Sequence, residues 1–318
     1  MAIAVSIQTL GVDVSRDWLD VFDGDKTERL ENSAAAISRY LKQLSGPVQV
    51  AIEATQRYHE RFVQSALSLG YHVYVVDGYR LCRYRESVGE RVKSDAHDAR
   101  LLHRYVTAEA AHLRRFELPP KSVMELRELL RARAKLVTTK GAVSQSMGQV
   151  QQLARTRQSV MRRMQLAIEL IEKKLRECIE AAGYSDDARR CESIPGVGRL
   201  TATGLVATFR RGEFTSADAF IAFMGMDLRT RESGRFRGQR KLSKHGDPEL
   251  RRLLFNAARA GARTAAWREY YARLRARGYS TTAAYVALSR KMARVAFALM
   301  KKETEFRLET RLEACTGT

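Results

Sequence analysis

Cysteine and proline are scarce, and no apolar run is long. Four cysteines (Cys82, Cys178, Cys191, Cys315) and five prolines are spread over 318 residues. The cysteines lie far apart without a Cys-x-x-Cys pair, which excludes a zinc ribbon and a disulfide framework and predicts a reducing compartment. No stretch approaches the roughly 18–20 apolar residues that span a bilayer. The N-terminal MAIAVSIQTLGVDVS has no basic segment before its apolar stretch and carries an aspartate within it, which argues against a signal peptide. Acidic residues are also in deficit. The 36 Asp+Glu face 56 Lys+Arg, leaving a net charge of +20. That excess attracts phosphates at long range and predicts a polyanion partner, although it does not itself separate DNA, RNA and membrane surfaces. At 45% hydrophobic residues, the chain can bury real cores, and its length suits two domains or more. The expectation is a soluble intracellular protein.

Residues 4–108 read as an α/β domain. Residues 5–14 alternate as a strand, 18–22 as its antiparallel partner after the Ser15-Arg16-Asp17 turn, and 27–31 as a third strand. Ile37, Tyr40, Leu41 and Leu44 then recur at helical steps until Gly46-Pro47. A strand beginning at Val48 ends at Glu53, a helix over about 58–69 stops at Gly70, and an apolar strand over 72–76 ends at Asp77. A final helix carries Asp95, Asp98, Leu101 and Leu102. This order of elements is that of a ribonuclease-H-like mixed sheet.

The pattern changes after Pro119-Pro120. Residues 121–182 lack proline and place Leu126, Leu129, Leu130, Leu136 and Val137, then Ile168, Ile171, Leu175 and Ile179, at helical spacing. A helical hairpin or coiled-coil arm follows from this, bent at Gly141 or near Gly148; such arms commonly pack against a second copy. Further on, Ser193-Ile194-Pro195-Gly196-Val197-Gly198 precedes an apolar helix over 200–209, the form of a helix-hairpin-helix turn. In such a turn Gly196 and Gly198 let the backbone approach a phosphate at a helix N-terminus. Residues 229–244 hold seven basic residues (Arg229, Arg231, Arg235, Arg237, Arg240, Lys241, Lys244) against one acid, Glu232, and predict a loop or hairpin that touches nucleic acid. Helices over 248–276 and 281–301 complete the mostly helical second part. The expected domains are 1–118, 119–185 and 186–318.

Four carboxylates stand where a metal site would choose them. Asp13 lies in the first strand, Glu53 ends a central strand, and Asp95 and Asp98 are three apart on one helix face. In a ribonuclease-H-like sheet the first and fourth strands are neighbours, and the last helix leans over the same edge. Four oxygen donors would then converge, as hard Mg²⁺ or Mn²⁺ prefers for phosphoryl transfer. Asp17, Asp20 and Asp77 are the expected decoys. They flank a turn or end a strand without forming a pair.

The segments GVDVSRDWLDV, AIEATQRYHE and VKSDAHDARLL, with SIPGVGRLTATGLVA and ESGRFRGQRKLSKHGDPELRRLLF, resemble the IS110 family of insertion-sequence transposases, whose relatives include the Piv site-specific invertases. The resemblance implies an N-terminal RuvC-like domain with a DEDD metal site, a coiled-coil arm and a C-terminal transposase domain with a nucleophilic serine. The DEDD acids fall on Asp13, Glu53, Asp95 and Asp98. The serine falls on Ser233, ahead of Gly234, with Arg231, Arg235 and Arg237 as a cradle for a pentavalent phosphate; Ser243 competes with it, and also suits a helix N-cap. The resemblance further implies double-stranded donor and target DNA, a noncoding bridge RNA, a homo-oligomer with a composite active site, and a bacterial, nucleoid-associated location. Gln56 stands where the family usually has glycine, and His245 where arginine is common. Two alternatives remain open. One is a RuvC-like metal-dependent nuclease or a DNA invertase without an RNA guide; the other is a non-catalytic nucleic-acid-binding protein.

Overall fold

Strands form where apolar residues alternate, and helices where they recur at three- and four-residue steps. The computed structural model describes residues 7–90, 94–229, 232–233, 236–237 and 241–307. The chain divides into two compact units, Met1–Leu118 and Pro119–Thr318.

The first unit runs β1 (Gln8–Val14), β2 (Trp18–Phe22), β3 (Thr27–Glu31), α1 (Ala34–Lys42), β4 (Val48–Glu53), α2 (Glu60–Ser68), β5 (His72–Val76), α3 (Gly78–Ser87) and α4 (Asp95–Glu109). Its five strands form one mixed sheet in the order β3-β2-β1-β4-β5. The first three strands pair antiparallel, while β1, β4 and β5 pair parallel. The α/β expectation and the ribonuclease-H-like element order are therefore found.

Alternation decides what each sheet face carries. Leu10, Val12, Val14, Val50 and Ile52 pack on one face with Ile37 and Leu41 of α1 and Phe62 and Val63 of α2. On the other face Ala51, Tyr74 and Val76 pack with Leu81 of α3 and Leu101, Leu102 and Val106 of α4. The odd-numbered residues Asp13 and Glu53 share this second face, at the ends of β1 and β4. The residues that hold the sheet together thus alternate with those that face α4.

The second unit is mostly helical, with α5 (Lys121–Ser146), α6 (Ala154–Ala181), α7 (Ser185–Glu192), α8 (Arg199–Phe209), α9 (Ala217–Phe223), α10 (Pro248–Gly261), α11 (Ala265–Ala276) and α12 (Thr281–Lys302). α5 and α6 form an antiparallel hairpin. Arg133 Nε donates to Glu172 Oε1 at 2.7 Å and Lys140 Nζ to Gln165 Oε1 at 2.6 Å. The reversal lies between Ser146 and Ala154, around Gly148, while Gly141 stays inside α5. At the base of the hairpin, Leu126, Leu130, Leu175 and Ile179 join a core with Leu205, Phe220, Leu254, Leu288 and Phe297. Between α9 and α10 the chain makes two short antiparallel pairs, β6 (Leu228–Arg229) with β9 (Lys241–Leu242) and β7 (Glu232–Ser233) with β8 (Phe236–Arg237). In sequence, the β7–β8 pair falls between the two strands of the β6–β9 pair. No helix among the described residues is long and apolar enough to cross a membrane.

Candidate active site

Asp13 and Glu53 sit on adjacent parallel strands, one step beyond the paired Val12 and Ile52. The third acid arrives from α4, and Gly11 makes that arrival possible. A Cβ at Gly11 would lie 2.0 Å from the Ala99 carbonyl oxygen and 2.4 Å from the His103 nitrogen, so any larger residue would hold α4 off the strand. Ser94 caps α4 by accepting from His97 N, which fixes where the helix starts and places Asp98 in its first turn. Gly78 makes room on the other side, since a Cβ there would approach Glu53 Oε1 to 2.5 Å. As a result, one carboxylate oxygen from each of Asp13, Glu53 and Asp98 lies within 4.8 Å of the other two.

Such closeness has an electrostatic cost. Burial, followed by the charges of Glu53, Asp98 and Asp95, pushes Asp13 up to about 7. Arg85 of α3 offsets part of this repulsion. Its Nη2 donates to Asp98 Oδ1 at 2.5 Å, with both side chains nearly buried. The converging donors are all carboxylate oxygens, the set that suits a hard divalent cation.

Asp95 does not join the three. As the first residue of α4 it is exposed, and it pairs with Arg29 at 3.6 Å. The four-way convergence expected from spacing is therefore a triad with Asp95 at its rim. Asp20, expected to be a decoy, is buried directly opposite Asp13 and shares Arg29 at 3.7 Å. The strict alternation of β2 against β1 would have placed it on that face. Asp77 caps α3 and Asp17 is exposed in its turn, as structural acids.

In the second unit, Ser233 lies on β7 opposite Phe236, and Arg237 on β8 opposite Glu232. Arg231, Gly234, Arg235 and Arg240 lie outside the described residues. Arg229 and Lys241 are exposed cross-strand neighbours in the β6–β9 pair, and Lys244 is exposed beyond it. Arg229 also hydrogen-bonds His245. Ser243 is buried, with its hydroxyl donating to the Asp227 carboxylate and its amide to the Asp227 carbonyl at 2.9 Å. It is not the helix N-cap: Asp247 caps α10, accepting from Glu249 N at 2.9 Å.

The two turn glycines differ. Gly196 has φ +97°, and a Cβ on it would meet the Ala257 carbonyl and the Gly261 backbone at 2.6 Å. Its close approach is to α10 of its own chain, a packing reason for glycine at that position. Gly198 precedes α8, and a Cβ there would meet nothing within 4 Å among the described residues. Charge is divided between the units with equal sharpness. Residues 1–118 carry 16 Lys+Arg against 16 Asp+Glu, and residues 119–318 carry 40 against 20, so the whole excess belongs to the second unit. Much of it lies on α10 to α12, beyond the hairpin that the sequence pattern singled out.

A family model for DEDD-type IS110 transposases matches residues 11–154, spanning all four candidate acids, and one described as the transposase IS116/IS110/IS902 family matches residues 188–272, spanning Ser233. The chain is 26% identical to the pilin gene-inverting protein of Moraxella lacunata over 81% of its own length and 82% of that protein. It is 25% identical to a probable family 20 transposase of Pseudomonas aeruginosa over 95% and 99% of the two chains. It is also 33% identical to the transposase for insertion sequence element IS1111A of Coxiella burnetii over 40% and 36%. The metal-binding motif and the C-terminal motif thus match models of one family in the order seen here, and the chain belongs to the IS110 family of transposases, DNA-recombining enzymes whose DEDD domain implies use of a divalent metal.

Proposed function

We propose that this chain is an insertion-sequence transposase that cuts and rejoins DNA by attack of the Ser233 hydroxyl on a phosphodiester. The observation that carries this reading is the convergence of Asp13, Glu53 and Asp98 within 4.8 Å, on the sheet face that Gly11 opens to α4. These three would hold Mg²⁺, or Mn²⁺ in its place, with Asp95 at the rim. A divalent ion bound there supplies charge neutralisation for the attacking and leaving oxygens.

The remaining chemistry belongs to the chain. Ser233 Oγ bonds to phosphorus and gives up its proton, while the bond from phosphorus to the deoxyribose oxygen breaks and that oxygen leaves as a hydroxyl. A hydroxyl of the recipient strand then attacks the phosphoserine ester and displaces the serine, so phosphodiesters are conserved. Arg231, Arg235 and Arg237 counter the charge of the pentavalent phosphorus. Arg229, Arg240, Lys241 and Lys244, with the amides after Gly198, position the backbone of the DNA. The twofold basic excess of residues 119–318 supports nucleic-acid contact through that unit, including a noncoding bridge RNA that pairs with donor and target. We read residues 119–185 as an arm that joins copies in a homo-oligomer and 186–318 as the transposase domain.

The gene-inverting relative, similar over four-fifths of both chains, favours a second reading with the same chemistry, namely inversion of a DNA segment without an RNA guide. One assay separates the readings: recombination between plasmids carrying the two element ends, with Mg²⁺, with and without the flanking noncoding transcript. Ser233→Ala should abolish strand exchange and the covalent protein–DNA product, and Asp13→Asn should abolish exchange. Metal-dependent cutting retained by Ser233→Ala would establish a nuclease that uses water. Exchange that ignores the transcript would establish the inversion reading.

A further inference from the structure

The carboxylate triad has a cation of its own. Arg85 projects from α3, its side chain 14% exposed, and holds Asp98, 8% exposed, through Nη2 to Oδ1. Its Nε is buried and makes no hydrogen bond among the described residues. A guanidinium placed only to tie α3 to α4 gains by using every buried donor, because an unpaired buried N–H is unfavourable. Arg85 leaves one idle and places its contact on a carboxylate oxygen of Asp98, one of the three clustered acids. That oxygen cannot give the same electron pair to the guanidinium and to a hard cation.

We propose that Arg85 is a positioning residue that competes with the divalent ion for Asp98 and so sets how tightly the triad loads. This rests on the metal-site reading above. With Arg85 in contact, the triad is held together at neutral pH by a charge from its own chain. Loading then requires Asp98 to exchange one positive partner for another, which lowers affinity for the ion and keeps the cluster from being a tight, permanent metal site. A purely structural Arg85 makes the opposite prediction. Its loss would let Asp98 and α3 shift, and metal binding would weaken or stay the same.

Metal affinity tests this directly, without reference to catalysis. The full-length protein is stripped with chelator and titrated with Mn²⁺, the free ion being read by electron paramagnetic resonance. Arg85→Gln should bind Mn²⁺ about tenfold more tightly than the unaltered chain, the scale expected when a nearby unit charge is removed under partial solvent screening. Arg85→Lys keeps the charge and should stay within a few-fold of the unaltered chain, and Asp13→Asn should lose most of the affinity. If circular dichroism shows Arg85→Gln unfolded, Arg85→Met, which keeps the apolar stem, takes its place with the same expectation. Equal or weaker binding by the folded Arg85 variant overturns the competition. Binding that is undiminished in Asp13→Asn overturns the metal-site reading itself, a failure distinct from the first.

Discussion

Replacing Asp13 by asparagine should stabilise the N-terminal unit, and the gain should grow with pH. Burial and the neighbouring carboxylates raise Asp13 from 3.8 to about 7. With the folded value above the unfolded one, the folded state keeps a proton that the unfolded chain has already lost. Below about pH 4 both states are protonated and carry no penalty. Through pH 4 to 7 the stability contributed by the proton is lost, and above 7 the loss is complete. A difference of roughly 3 units corresponds to ~4 kcal/mol. Asp13 is only half-buried, so solvent screening brings the expected cost to ~2 kcal/mol. Asparagine keeps the shape and cannot ionise. Thermal melts in chelator should therefore show no difference between the two proteins near pH 4, and a higher melting temperature for Asp13→Asn at pH 8. For a unit of this size ~2 kcal/mol is about 8 °C. Adding a divalent ion at pH 8 should raise the melting temperature of the unaltered chain and leave Asp13→Asn nearly where it was. A gain independent of pH, or one that shrinks as pH rises, would refute the repulsion on which the site reading depends.

Three glycine-related substitutions test the scaffold by melting. Gly11→Ala should cost about 2–3 kcal/mol or more, because its methyl group would meet the α4 backbone, and should weaken divalent-ion binding along with stability. Gly196→Ala forces a methyl group into α10 at φ +97°, and should cost the second unit a similar ~2–3 kcal/mol; a loss of nucleic-acid affinity at unchanged stability would instead support the phosphate-turn reading. Gln56 follows Glu53 by three residues at φ +46°, so Gln56→Gly should relieve left-handed strain and stabilise the first unit by about 0.5–1 kcal/mol.

The alternating strands made the sheet legible, and with it the two acids that lie on strands. Asp13 and Glu53 follow from period two and from the pairing of the first strand with the fourth, which any ribonuclease-H-like order demands. The helical acids were harder to read, because three-residue spacing places Asp95 and Asp98 on one side of α4 without saying which end of that face overhangs the sheet. The contact of Gly11 with Ala99 and His103 decides it, and that contact is visible only when the helix is packed. Asp20, read as a decoy, stays outside the triad although it faces Asp13. Its neighbour in space is Asp13, seven positions away, across a hairpin whose register depends on the Ser15 turn, where Ser15 accepts from Trp18 N. Arg85 carried no signal at all, since α3 offers only Leu81 to the core and its polar residues look alike in sequence. In the second unit, Ser243 before a helix looked like a cap. Asp247 followed by proline is the stronger start signal, and the buried bond to Asp227 gives Ser243 a different part in the fold.

Two acid groups on the same sheet face obey different rules, and the contrast argues that the triad is there for chemistry. Asp20 and Asp95 share Arg29 at 3.7 and 3.6 Å, partly in solvent. Such a bridge is an ordinary surface network, worth little to stability and in no conflict with it. Asp13, Glu53 and Asp98 are drawn together instead, with Gly11 and Gly78 clearing the space, and burial, followed by the neighbouring charges, pushes Asp13 to about 7. A fold selected for stability alone would gain by placing an apolar side chain at Asp13, where burial and three neighbouring carboxylates disfavour the charge. Its retention makes sense where a cation repays the repulsion at the moment a phosphate must be attacked. The balanced charge of residues 1–118 then means that this unit contributes little long-range attraction for nucleic acid, which falls to the 40 basic residues beyond Pro119. It follows that neutralising the acids should abolish strand exchange while leaving salt-dependent DNA binding nearly intact, whereas neutralising Arg229, Lys241 and Lys244 should flatten the salt dependence of binding and leave Mn²⁺ affinity at the triad unchanged.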